Sequence, residues 1–90
     1  MFDAVVEVRL REGVADPEGA TIHSAMGQLG MDRVREVRVG RIFRLSIDAA
    51  DAGAAEQLAN SAAASLLANP VLEDFEVKVS EQGPGGVTAR

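Results

Sequence analysis

The sequence predicts an α+β fold with the element order β-α-β-β-α-β, and three observations carry that expectation. Apolar residues alternate with polar ones near both ends of the chain, over residues 2–10 and 71–79, as they do in half-buried strands. Two stretches with helical spacing lie between them, one opening at Asp16-Pro17 and one after Asp51. Between the two helices, residues 33–48 alternate again around a glycine, Gly40.

In the first strand Phe2, Ala4, Val6, Val8 and Leu10 share one face, while Asp3, Glu7 and Arg9 share the other; Val5 is the exception on the outer face. The helix that follows has Asp16 to accept from free N–H groups and Pro17 at the first helical position. Ile22, Ala25, Met26 and Leu29 form its apolar stripe, and Gly30 is placed to end it in a left-handed conformation. After Asp48 the composition turns to alanine. Ala55, Leu58, Ala59, Ala62, Ala63 and Leu66 make a narrow stripe that lets a helix lie close to a sheet, and Asn69-Pro70 ends it. The last strand carries Val71, Phe75, Val77 and Val79 on one face, with Glu73 off-pattern.

Residues 33–48 read as a β-hairpin. Val37, Val39, Phe43, Leu45 and Ile47 fall on odd positions and Glu36, Arg38, Arg44 and Ser46 on even ones. A three-residue loop Gly40-Arg41-Ile42, or a bulge at Gly40, keeps this parity, with Val39 facing Phe43, Val37 facing Leu45 and Arg38 facing Arg44. Glu7 is then the expected neighbour that relieves the two arginines. With the hairpin as two strands, the pattern is ferredoxin-like βαββαβ: a four-stranded antiparallel sheet with both helices on one face and the other face open. Val5, Ile42 and Leu72 are expected on or near that open face, which suits cover by another subunit. The single domain spans residues 1–80, and residues 81–90, with three glycines around one proline, read as a flexible tail.

Composition narrows the function. Five arginines against Glu36 give residues 33–47 a charge of +4 in a chain of −5, so the remainder carries −9. Such a basic segment is first a solvated strand face and second a docking patch. The acidic balance argues against nucleic-acid binding, and so does the aromatic content of three Phe with no Tyr or Trp, since stacking on an open sheet needs exposed rings. No apolar run is long enough to span a membrane. Met1-Phe2-Asp3 does not resemble a secretory signal, and the absence of cysteine suits a reducing compartment, so a cytoplasmic location is expected. His23, the one histidine, has no neighbouring ligand or orienting partner, and Ser24 and Ser61 sit in helical segments without a nucleophile elbow. The loop after the first strand carries two acids, Glu12 and Asp16, which disfavours an acylphosphatase-like anion cradle. A small-molecule-sensing regulatory module of this topology is compatible with everything so far.

Three segments together support a more specific reading: Asp16-Pro17-Glu18-Gly19; Val34-Arg35-Glu36-Val37-Arg38-Val39-Gly40-Arg41; and the run from Leu66 to Phe75 that contains Asn69-Pro70. In this order and spacing the chain resembles the PurS family, the small subunit of phosphoribosylformylglycinamidine (FGAM) synthase where that enzyme is split into separate chains. Glu18 and Arg41 stand where the family usually has Gln and Lys. The resemblance implies a non-catalytic subunit of an ATP- and glutamine-dependent ligase of purine biosynthesis. It further implies a homodimer that bridges the PurL synthetase chain, which uses ATP and Mg, and the PurQ glutaminase chain. No catalytic, cofactor-binding or metal-binding residues are expected here. Candidate partner contacts are Arg41, Gly40, Arg38, Asp16 and Asn69.

Overall fold

The computed structural model describes residues 1–82, and its elements follow the order β-α-β-α-β. Strand β1 (Phe2–Leu10) is followed by helix α1 (Pro17–Gln28), strand β2 (Gly40–Ile47), helix α2 (Ala52–Ala62) with a π-helical turn at Ala63–Leu67, and strand β3 (Glu73–Glu81). The sheet has three strands in the order β2-β1-β3, both pairings antiparallel. In register, Phe43, Val6 and Val77 form one row across the sheet, and Leu45, Ala4 and Val79 the next.

Being central, β1 has its backbone bonded on both sides, so its even side chains are covered most fully. Val6 and Val8 are the largest fully enclosed side chains, each stabilising the fold by roughly 1.5–3 kcal/mol relative to exposure. Against this face α2 presents Ala55 and Ala59, and the π-helical turn presents Ala63, all with no exposed surface. Methyl-sized contacts let the helix backbone lie against the strands, as the alanine stripe predicts. Asp51 caps α2, its Oδ1 accepting from Ala54 N–H at 2.8 Å.

Two members of the expected stripe lie elsewhere: Leu58 and Leu66 are exposed. The helix does not keep its 3.6-residue period to its end. Ala68 N–H donates to Ala63 O, an i to i+5 bond, and the wider turn brings Leu67 and Ala68 to the core while Leu66 points out.

The four-stranded ferredoxin-like sheet expected from the sequence does not form. Residues 34–39 are not a strand, and Gly40, Arg41 and Ile42, expected as the hairpin loop, already belong to β2, opposite Arg9, Val8 and Glu7. The parity of Phe43, Leu45 and Ile47 was read correctly, but their partner is β1. Residues 34–39 direct their polar groups to α1 and the loop before it instead. Val39 N–H donates to Asp16 Oδ2 at 2.8 Å, His23 Nε2 donates to Val34 O at 2.7 Å, and Arg38 donates to Val14 O and Arg11 O. Arg38 therefore does not face Arg44, and Glu7 is not shared between them; it pairs with Arg9 at 3.3 Å.

Only α2 packs on the core, whereas both helices were expected there. No residue of α1 belongs to either core cluster, and Gly19 is its one buried residue. Ile22 and Met26 are half-buried, while Ala25 and Leu29 are exposed. Gly30 does end the helix in the left-handed region, at φ +87°, with Met31 N–H donating back to Met26 O.

At the other end of the chain β3 begins at Glu73, because Asn69 turns the backbone first. Its Oδ1 accepts from Val71 N–H and its carbonyl from Leu72 and Glu73 N–H. The strand reaches Glu81, and Gln82 N–H donates to Met1 O. The rest of the expected tail, residues 83–90, lies outside the described residues.

Because α2 meets the sheet through methyl groups, enlarging one of them should overpack the contact. Ala59→Leu is expected to lower stability by about 1–3 kcal/mol, read as a lower urea midpoint at unchanged slope.

Candidate functional site

The sequence candidates collect at one end of the sheet, where β1 finishes, β2 begins and α1 starts. A cleft of about 200 Å³ there is lined by residues that include Asp16, Gly40, Arg41 and Glu73. Three of the five candidates thus share one cavity. Arg38 lines a separate depression with Arg9, Glu36 and Asp74, and Asn69 reaches the cluster only through Glu73.

Asp16 is the centre of this region. Its Oδ1 accepts from Gly19 N–H at 2.9 Å, capping α1, and its Oδ2 accepts from Val39 N–H, so one carboxylate ties the helix to the segment entering β2. These bonds favour the ionised form and hold its carboxyl below the ordinary carboxylate range. The Val39 bond contributes most, then the Gly19 bond, with the Arg38 charge adding to them. Gly19 is required by the same closeness, since a side chain there would collide with the Val37 carbonyl. At Gly40 an added Cβ would sit 2.9 Å from Val8 O, so glycine lets β2 approach β1 rather than turn.

Arg41 is engaged within the fold. It belongs to the core-facing parity of β2, and its guanidinium lies 5.4 Å from the Phe43 ring centroid. Nη2 donates to Leu67 O at 3.2 Å and to Glu73 Oε1 at 3.2 Å. Glu73, the off-pattern residue of the last strand, is the least exposed carboxylate of the ion pairs, with 17% of its side chain accessible, and also accepts from Asn69 N–H at 2.7 Å. Glu73, off-pattern in the last strand, and Arg41, expected in a hairpin loop, therefore satisfy each other across the end of β1. Arg41 also complements the carbonyl end of the π-helical turn.

Arg11, not singled out from the sequence, performs a parallel task. It donates to Pro70 O at 2.6 Å and pairs with Asp74 at 3.3 Å, fastening the end of β1 to the turn before β3. Its position just past a strand end, 62 residues from Glu73, to whose carbonyl it also donates, carries no local signal. His23 likewise acts by bonding Val34 O, a contact at sequence distance 11 that helical periodicity does not disclose.

With Arg9 and Arg41 set among Asp16, Glu18 and Glu73, the cleft is net acidic and its cations are engaged by carboxylates. This chemistry joins chain segments and does not suit a phosphate group. Among the described residues, no three His, Asp or Glu side chains come together as a metal site would require. No helix there is long and apolar enough to cross a membrane.

A small three-stranded α+β module, its strand ends fastened by arginine–carboxylate contacts and one of its helices left off the core, is the class of protein that these features define. Residues 3–81 match the family model described as PurS: phosphoribosylformylglycinamidine (FGAM) synthase, and the chain belongs to the PurS family. The PurS subunit from Mycobacterium leprae is 43% identical over 82 residues, covering 91% of this chain and 100% of that one. The PurS subunit from Methanocaldococcus jannaschii is 33% identical over 81 residues, covering 90% and 98%. The crystal structure of M. jannaschii PurS superposes with a TM-score of 0.85 at 32% identity, covering 92% of this chain and 100% of that one. A chain of the structure of PurLQS from Thermotoga maritima does so at 0.81 and 30%, covering 88% and 96%. The chain is thus a PurS subunit of FGAM synthase, a ligase of purine biosynthesis.

The Asp16 clamp has a signed pH dependence. A carboxyl whose pKa is lowered on folding contributes stability that is fully present above its unfolded value and is lost as the pH falls through the folded one. The stability gap between the native chain and Asp16→Ala should therefore be constant near neutrality and close progressively below about pH 4. Urea titrations at a series of pH values check this, and a gap independent of pH would place the Asp16 contribution elsewhere.

Proposed function

We propose that this chain serves FGAM synthase by assembly, bridging the PurL synthetase and PurQ glutaminase chains as a homodimer and performing no bond-making step itself. Membership of the family supports the enzyme, and the likeness to a chain of the T. maritima PurLQS structure supports the complex. One observation from the fold carries the proposal: the single chain does not cover its own apolar surface. Helix α1 lies off the core, and Leu29, Leu66 and Val71 are 74%, 81% and 77% exposed. They lie just past α1, on the π-helical turn and in the turn before β3, so they suit more than one contact.

In this reading ATP and Mg are taken up by the PurL chain, and the whole assembly works in the cytoplasm. Asp16, Gly40 and Asn69 act indirectly, by shaping the cleft end of the sheet. Arg41 and Arg38, exposed though bonded within the chain, present the charge that a partner meets.

Reconstitution tests the role. With the synthetase and glutaminase chains of the same organism, FGAM formation from glutamine should require this chain, while formation from added ammonium should not. Full glutamine-dependent rate in its absence would contradict the bridging role.

A further inference from the structure

We infer that residues 14–39 form one rigid arm that pivots as a body against the sheet, about two short stems at Glu12–Gly13 and Val39–Gly40. The motion is a property of the chain alone, and its use rests on the bridging reading above.

The bonds that hold α1 and the segment after it close on themselves. Asp16 accepts from Gly19 and Val39 N–H, His23 Nε2 donates to Val34 O, and Arg38 Nη1 donates to Val14 O at 3.1 Å. Each begins and ends inside residues 14–39. The close approach of Gly19 to the Val37 carbonyl packs helix against segment within the same unit. The arm is thus braced along its length and keeps its own shape.

Its attachment to the rest is slight by comparison. Among the described residues one acceptor joins the two bodies: the Arg11 carbonyl, which receives Val14 N–H at 3.1 Å and Arg38 Nη2 at 3.3 Å. Both bonds lie at the first stem. No ion pair among the described residues crosses from arm to sheet, α1 packs extensively on no strand and not on α2, and neither core cluster contains an arm residue. The seam is hollow instead. The cleft of about 200 Å³ has Asp16, Glu18 and Val39 on the arm side and Arg9, Arg41 and Glu73 on the sheet side. A second depression, of about 340 Å³, opens between Glu36 and Arg38 of the arm and Glu12 and Asp74 of the body. A unit bonded densely within and sparsely without moves as a body, and the residues that absorb its motion sit in loops or at element ends.

The stems meet that description. Gly13 lies in the left-handed region at φ +88° with open space around it, and Gly40 is the first residue of β2. Pivoting across the cleft carries Glu18, which takes part in no ion pair among the described residues, toward Arg9 and Arg41 without breaking any bond that braces the arm. The exposed apolar residues are divided in the same way: Leu29 and Met31 ride on the arm, Leu66 and Val71 on the body that contains the sheet. A bridging subunit whose contact surfaces lie on two hinged bodies can hold both partner chains while the distance between them changes.

Residual dipolar couplings of backbone N–H groups, recorded on the weakly aligned, isotopically labelled chain in its native oligomeric state, test the pivot. Couplings from the three strands and α2 should fit one alignment tensor. Those from residues 17–37 should fit a second, smaller in magnitude by about a third or more. Arg38→Ala, which removes the side-chain bond to the Arg11 carbonyl, should lower the arm's magnitude further and leave that of the sheet unchanged. One tensor of equal magnitude for both sets would overturn the pivot, and arm couplings that fit no common tensor would overturn its rigidity. An arm magnitude unmoved by Arg38→Ala would overturn the assigned attachment. The bridging role stands or falls separately, by the reconstitution.

Discussion

The carboxylate of Asp16 is the constraint on which the arrangement of the first half of the chain depends. It accepts from Gly19 and from Val39, residues separated by twenty positions, and so fixes where α1 begins relative to where β2 begins. With Val39 held there, residues 34–39 run beside α1 and cannot fold back along β2. His23 and Arg38 reinforce the same path from either side. The result is a three-stranded sheet with a helix carried to one side of it, in a molecule 50 Å long and 16 Å thick.

The second half is governed by a different economy. Alanine on α2 and on the π-helical turn brings backbone against β1, and the core is correspondingly thin, with Val6 and Val8 its largest fully buried side chains. So thin a core leaves the strand ends to be closed by polar contacts. Arg41 with Glu73, and Arg11 with Asp74, close the end where β1 finishes, and Gln82 closes the other. These are partly solvated pairs of modest individual strength, and they act chiefly by selecting one register and one path for the turns.

Most of the elements were legible in the sequence because their cues are local. Asp16, Pro17 and Gly30 bound α1, Asp51 caps α2, and period-two parity assigns the faces of β1, β2 and β3 correctly. What was not legible is pairing. Alternation shows which face a residue belongs to, and Val37 and Val39 are indeed half-buried, but it does not say which strand lies beside them. The basic hairpin was inferred from parity around Gly40, whereas that glycine serves the close approach of β2 to β1. The two exceptions each have a structural cause: Glu73 breaks the pattern of its strand because it bonds to Arg41, and Val5 because it belongs to a face that one chain leaves uncovered.

A subunit that works by assembly needs surface to spare, and this fold retains it by keeping α1 off the core and one sheet face bare. The first follows from diverting residues 34–39 away from the sheet and toward α1. The direct measurement is the pattern of short proton–proton distances in the isotopically labelled chain, recorded by NMR with contacts between copies filtered out. A three-stranded sheet requires close approaches across Val6 and Phe43 and between His23 and Val34, with none between Val37 and Leu45. Cross-peaks linking Val37 to Leu45 and Val39 to Phe43 would restore the hairpin and contradict the role assigned to Asp16.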